Sequence, residues 1–416
     1  MAVCEKRGFE LIKKMGFVRV SGTAEEKKAA QILCDEAASF GVKCDVETFE
    51  VEDAVMHRAE LEVMEPYQKK YEVTGYLRSR STPEDGLECD LVYVEDAMDA
   101  NLVNVEGKIV LLNSRPRRDV YEKLCKAGVK GYITFSGSML DDPEKSDLDV
   151  GKLRPALTEG LPVLSAVNVR PWDALEMVMK EASRVRMVIE NENVTLESQN
   201  VCAEIVGTEY PDEVILFSAH YDSVLFSTGV YDNAAGSATI MELMRHFAEN
   251  PPKRTVRFVW FGSEEQGLLG SKDYVKKHDV KNIKLVINCD VGAPAMGVNR
   301  CSVMATEAAA NYVDAMFKEA GYPMGVRSTI YSSDSIPFAD LDVPGLNFIR
   351  GAARGVGFIH DRNDVIDYLS PKGLGAMLHP VLMLSDRIVN AAVLPIARKV
   401  SKEIHDEVDK YLFKKK

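Results

Sequence analysis

A chain of 416 residues is too long for one ordinary core, so two domains are the expectation. Hydrophobic residues make up 46% and charged residues 28%, the balance of a globular protein, and a formal net charge of −13 argues against nucleic acid or an anionic membrane as partner. No run approaches the roughly 18 apolar residues of a membrane span, the first residues lack an apolar signal core, and eight cysteines are scattered without a CxxC pair, so a cytoplasmic protein with reduced thiols is expected.

Thr23-Ala-Glu-Glu26 reads as a capping box, with threonine at the N-cap and glutamate three residues on. Ala29, Ala30, Ile32, Leu33, Ala37 and Phe40 follow at helical spacing, and Gly41 is placed to end the helix. Residues 42–51 then read as a strand. A βαβ-like unit follows, with a strand at 108–112, a helix at 118–127 closing on Gly128, and a strand at 130–135. Residues 80–90 and 137–160 are rich in Asp, Glu, Pro and Ser and read as long surface loops. No His–carboxylate cluster falls in this region, so catalysis is not expected there.

From about residue 200 the texture changes. Apolar runs at 214–219, 256–261, 285–289 and 346–349 alternate with helical stretches at 233–248, 306–320 and 371–393. Continuous apolar strands between helices indicate a sheet covered on both faces. Ligands bind such sheets beyond the carboxyl ends of the strands. His220, the pair Glu264 and Glu265, and Asp290 each follow one of these runs. Three strands therefore deliver polar residues to one edge.

Each motif has a plainer reading when taken alone. His220 and Asp222 are two apart, so in an extended chain they point the same way and Asp222 can accept from the outer ring nitrogen of His220. A strand-end histidine held by a local acid would look the same. Asp232 or Asn233 could simply cap the helix that follows. Glu264 and Glu265 could sit on a solvated loop, but directly after an apolar strand their burial is costly unless cations neutralise them. Asp290 is a turn residue or a ligand, and His360 alone would be structural. Together, two imidazoles (His220, His360) and three carboxylates (Asp232, Glu265, Asp290), with no thiolate, suit a pair of zinc-like ions. Glu264 beside them suits a general base, which points to metal-assisted hydrolysis. His57, His246, His278, His379 and His405 lack such settings and read as structural or surface residues.

The order of these motifs is His-x-Asp, then Asp-Asn-Ala-Ala-Gly, then Glu-Glu-x-Gly-Leu-x-Gly-Ser, then an aspartate after a strand and a late histidine. It resembles the M28 family of zinc metallopeptidases, which includes co-catalytic two-zinc aminopeptidases. The likeness spans about 200–390 and extends to 18–49, where Val20-Ser-Gly-Thr-Ala-Glu-Glu26 is similar to the family's opening. The resemblance implies an α/β, three-layer αβα zinc-peptidase domain with a mixed central sheet, built from residues 1–60 and 190–416. It implies two Zn2+ per chain, with other divalent metals also suited. His220 and Asp290 would hold one ion, Glu265 and His360 the other, and the Asp232 carboxylate would bridge them, its own peptide bond to Asn233 being cis. Glu264 would be the general base and then the acid, and Asp222 would orient His220.

Residues 61–189 resemble a protease-associated insert, a smaller β-rich α+β domain. Asn104-Val-Glu-Gly-Lys-Ile-Val-Leu-Leu112 and Ala127-Gly-Val-Lys-Gly-Tyr-Ile133 carry that likeness. One departure stands out: Ser335 occupies a place in Ser333-Asp334-Ser335 where the family usually has histidine. The position is not a metal ligand, so hydrolysis is expected to survive. Tyr331 lies one residue away from where some relatives keep an oxyanion-stabilising tyrosine, and it takes no role here.

The implied activity is removal of N-terminal residues from peptide substrates by an aminopeptidase. Arg350, Arg354 and Arg362 near His360 keep open a carboxypeptidase or an N-acyl amino-acid hydrolase, as a clamp on a substrate carboxylate. A glutaminyl-cyclase-like transferase would use one zinc. An inactive receptor or scaffold would have lost ligands that are present here. Oligomeric state is left open, a homo-oligomer included.

Overall fold

The computed structural model describes residues 3–142 and 148–414 and divides into two units, Met1–Val51 with Glu197–Lys416, and Glu52–Leu196. In the first unit the apolar runs form the strands Tyr210–His220, Arg254–Phe261, Ile283–Cys289 and Gly345–Ala352. They run parallel, with Tyr210–His220 between Arg254–Phe261 and Ile283–Cys289, and Gly345–Ala352 beyond the latter. Gly297–Met304 lies antiparallel to Gly345–Ala352, and residues 201–205 lie antiparallel to Arg254–Phe261, so the sheet is mixed as expected.

The runs are apolar at consecutive positions because successive side chains leave on opposite faces and both faces are covered. Phe217, Ala219, Phe258 and Trp260 join a core with Leu11, Ala238 and Leu374, from the helices Glu5–Lys14, Ala235–Glu249 and Pro371–Asn390. Their neighbours Leu216, Val259 and Phe261 enter a separate core with Tyr274 and Phe338, from the helices Leu269–Lys277 and Ile336–Ala339. One sheet between two helical layers is the result.

Helix Ala24–Ala38 opens on Thr23, whose side chain accepts the Glu26 N–H at 3.2 Å. The other half of the capping box differs from expectation. The Glu26 carboxylate reaches the Gly22 N–H at 2.7 Å, because the Thr23 N–H is already given to Val20 O. The strand expected at 42–51 is the first part of a longer one, Cys44–Glu65.

In the second unit, Leu87–Tyr93, Ile109–Leu111, Gly131–Phe135 and Ser165–Val169 lie parallel in that order. Alternation again makes two cores. Leu111, Ile133 and Val167 pack with Ala174 and Met177 of helix Pro171–Met179, while Val110, Tyr132 and Ala166 pack with Tyr121 and Leu124 of helix Arg118–Lys126. Two loop expectations are corrected: a strand begins at Leu87, and a short helix covers Pro155–Thr158. Residues 143–147 of the expected loop lie outside the described residues. All eight cysteines are free thiols, and no helix among the described residues is long and apolar enough to cross a membrane.

Candidate active site

Strand register assembles the site. Phe261 pairs with His220 and Asn288 with Ser218, so Asp290 comes level with His220 at the carboxyl edge. The chain leaving Phe261 brings Glu264 and Glu265 to the same edge. His220 is buried, with Nε2 3.0 Å from Asp232 Oδ1 and 3.3 Å from Asp290 Oδ1. The other oxygen of Asp232, Oδ2, lies 3.2 Å from His360 Nε2, which is also 3.2 Å from Glu265 Oε2. Three groups of ligand-type atoms converge: His220 with Asp232 and Asp290, His220 with Glu264 and Glu265, and Asp232 with Glu265 and His360. The six side chains read from the sequence are thus brought together, and Asp232 turns one oxygen to each histidine.

Asp232 and Asn233 divide the two roles that the sequence left open. Asn233 Oδ1 accepts from the Gly236 N–H at 2.8 Å and the Val291 N–H at 3.2 Å, while its Nδ2 donates to Cys289 O at 2.9 Å. Capping of helix Ala235–Glu249 therefore falls to Asn233, and the Asp232 carboxylate stays with the histidines. The Asp232–Asn233 peptide is cis. Gly236 is required by close approach: a Cβ there would stand 2.2 Å from Cys289 O and 2.3 Å from Asn233 Oδ1.

Asp222 acts differently from the expectation. Its Oδ1 is 3.4 Å from His220 Nδ1, but the two are not aligned for a hydrogen bond. The carboxylate instead accepts the backbone N–H groups of Glu264 at 3.1 Å and Glu265 at 3.2 Å, fixing the turn that carries both acids.

Two buried residues were missed by sequence reasoning. Asp364 accepts from the Tyr231 N–H at 2.8 Å and the Asp232 N–H at 3.1 Å, and so holds the backbone behind the shared carboxylate. Burial pushes its carboxyl up to about 7. Arg19 donates to five backbone carbonyls at 2.5–2.9 Å, those of Met15, Phe17, Tyr221, Thr228 and Gly229. Burial lowers its guanidinium to about 10, against the pull of Asp222, Asp364, Asp232 and Glu265. A lone arginine between Val18 and Val20 was the available signal for the second. Asp364 offered none beyond its place four residues after His360.

The electrostatics fit a cation site. Burial raises the Glu264 carboxyl well above its usual range; His220 opposes this and Glu265, Asp334 and Asp290 add to it. Asp334, fully buried, is pushed up to about 7 by burial. Burial alone would lower His360, yet Asp232 and Glu265 push it up to about 11. Imidazoles so placed hold protons in the positions for which a divalent cation competes. Imidazole nitrogens and carboxylate oxygens, without thiolate, make a donor set suited to zinc or a similar ion. Such a concentration of buried acids also calls for positive charge beyond Arg19.

The remaining sequence candidates have other partners. His57, His246, His278, His379 and His405 each face a single acid, respectively Glu192, Asp386, Glu47, Glu5 and Asp342, at 2.8–3.8 Å. Arg350 donates to Pro294 O at 3.1 Å and to Asn299 Oδ1 at 2.9 Å, so it braces two chain segments instead of standing free as a clamp. Ser335 Oγ donates to Asn347 Oδ1 at 2.6 Å. It thereby joins a buried polar ladder that runs through Asn288 to Ser218 and Ser333. Burial raises the Tyr331 phenol, and the carboxylates of Asp290, Asp232 and Glu264 add to this.

Residues 200–385 match the family described as peptidase family M28. Aminopeptidase YwaD of Bacillus subtilis (strain 168) is 27% identical over 404 residues, covering 92% of this chain and 82% of that protein. Carboxypeptidase Q of Bos taurus is 24% identical over 390 residues, covering 85% and 78% respectively. Among solved structures, BSAP, a zinc aminopeptidase from Bacillus subtilis, has the same fold, with a TM-score of 0.78 at 20% identity over 97% of this chain and 99% of that one.

Proposed function

The chain belongs to peptidase family M28, and from that premise we propose that it is a zinc-dependent exopeptidase, an aminopeptidase that releases N-terminal residues from peptides. The carrying observation is the Asp232 carboxylate, which turns one oxygen to His220 and the other to His360. His220 and Asp290 would hold one ion, Glu265 and His360 a second, and Asp232 both. Bound there, zinc supplies Lewis-acid polarisation of a carbonyl and makes hydroxide available near neutral pH.

The protein's own groups do the rest. Glu264, half-buried and with raised proton affinity, takes a proton from the attacking water and returns it to the leaving amine. Asp222 keeps Glu264 in place through the two backbone N–H groups it accepts. The surrounding carboxylates attract a free substrate ammonium, which favours the N-terminal end of a peptide. Arg350 is committed to Pro294 O and Asn299, which weakens the case for a carboxylate clamp. The likeness to aminopeptidase YwaD supports the same terminus, while the likeness to carboxypeptidase Q keeps the opposite one as a second reading. For the unit Glu52–Leu196 we propose a protease-associated insert domain. The eight free thiols favour the cytoplasm as its compartment.

Two measurements test this. Elemental analysis of the native protein should give two zinc ions per chain, and peptides with a free N-terminus should be cleaved while N-acetylated ones are not. Equal cleavage of both would overturn the aminopeptidase assignment. Glu264→Ala should retain zinc and lose turnover by about 10²–10⁴-fold, the usual scale of general acid–base catalysis.

A further inference from the structure

Glu26 lies in the first turn of helix Ala24–Ala38, far in sequence from the acids of the site, and it is fully buried. A helix cap facing solvent would need no such burial. Its Oε2 accepts the Gly22 N–H at 2.7 Å, and its Oε1 accepts from Ser198 Oγ at 2.7 Å. Ser198 Oγ in turn accepts from Ser263 Oγ at 2.7 Å, and the Ser263 and Ser21 hydroxyls are hydrogen-bonded to each other. Ser263 is the residue before Glu264, and its φ of +54° is left-handed, a conformation that a serine keeps only when its surroundings hold it. The turn is crowded at its root as well: a Cβ on Gly262 would stand 2.8 Å from both Glu26 Oε1 and Ser198 Oγ.

The turn that carries Glu264 is therefore gripped at two points. Asp222 takes the backbone N–H groups of Glu264 and Glu265, and the chain Glu26–Ser198–Ser263 holds the residue before them. We infer that Glu26 is a positioning residue for the general base, acting through Ser198 and Ser263 to set the direction in which Glu264 approaches its proton. The inference rests on the peptidase reading above. Glu26 touches none of the ligand-type groups, so its loss is expected to misplace Glu264 without emptying the cation positions.

Steady-state kinetics on an aminoacyl reporter peptide, with zinc content measured in parallel, provide the test. Glu26→Ala should lower kcat by about 10–100-fold, the effect expected when a group that orients a reacting residue is removed. KM should stay within about twofold and zinc per chain should be unchanged. Glu26→Gln, whose amide oxygen can still accept the Gly22 N–H while its NH2 donates to Ser198 Oγ, should recover most of the loss. Ser198→Ala cuts the connection in its middle and should lower kcat in the same direction by a smaller factor. Unchanged kcat in Glu26→Ala and Ser198→Ala overturns the inference. So does a loss of kcat that travels with lost zinc, which would make Glu26 a general structural element. If Glu26→Ala does not fold, Ser198→Ala decides alone. The peptidase reading fails separately, by absence of peptide cleavage in the wild type. The inference alone fails if Glu264→Ala abolishes turnover while the Glu26 and Ser198 variants remain at wild-type rates.

Discussion

Both units send alternate side chains from four parallel strands into two cores, Leu111 and Val110 in the smaller one, Phe217 and Leu216 in the larger. They differ in the residues at the carboxyl ends of those strands. In the smaller unit the chain leaves Leu111, Phe135 and Val169 into Leu112, Ser136 and Arg170. In the larger it leaves into Glu264, Glu265 and Asp290, with His220 as the last residue of its strand. Among the described residues, every group of three converging ligand-type side chains lies in the larger unit. The buried ion pair of the smaller unit, Lys152 with Asp53 at 2.6 Å, is already neutral as a pair and leaves no charge to recruit an ion. A parallel sheet thus provides an edge. Uncompensated buried acids, held by backbone N–H groups, turn that edge into a site.

The contrast can be broken in graded steps. His220→Ala removes a residue common to two of the converging groups. It should cost at least one zinc per chain and roughly 10³-fold or more in turnover, the scale of several kcal/mol of lost charge stabilisation. Zinc content and kcat together check this. Asp364→Ala leaves every ligand in place but frees the Tyr231 and Asp232 N–H groups. Zinc affinity should fall by about 10–100-fold, as for other residues that orient ligands, and competition with a chelator reads it. Ile133→Ala in the smaller unit should cost about 2–5 kcal/mol of that unit's stability by chemical denaturation while zinc content stays the same. Parallel loss of zinc would erase the distinction between the units.

The mildest expected effect is on pH dependence. Burial, with the Asp222 charge adding to it, raises the Glu26 carboxyl to about 8. The folded form therefore keeps a proton that the unfolded chain releases near its ordinary value of about 4.3. Stability from this group is fully present at acid pH and is lost as pH rises through that interval to about 8. Glu26→Gln should flatten this slope in thermal unfolding measured across pH, and an identical slope in both proteins would refute the assignment.

The central strands of the larger unit were legible because burial on both faces writes itself as consecutive apolar residues. Most of the candidate ligands were legible because they stand just past those runs, while Asp232 and His360 were legible only through the order of the motifs. Residues 87–90, the first part of the strand Leu87–Tyr93, read as loop for the converse reason. Glu88 and Asp90 alternate with Leu87, Cys89 and Leu91, and their charges meet Arg184 on the neighbouring strand at 2.8 and 3.2 Å. A half-exposed, charge-paired strand looks like a polar linker. Arg19, Asp364 and Glu26 share another difficulty. Their burial is produced by segments 132 to 209 residues distant, and local pattern carries no trace of it. Glu26 was visible only as a cap, the lesser part of its work.

Gly236 carries a consequence for variation in this chain. Its missing methyl lets the start of one helix touch the end of a strand across Cys289 O, with the Asn233 amide wedged between them. The bulkiest permissible substituent at that point is a hydrogen atom. An alanine there would push two backbones apart and tilt Asp232 away from both imidazoles, disabling the chemistry while every reactive group remained spelled out in the sequence.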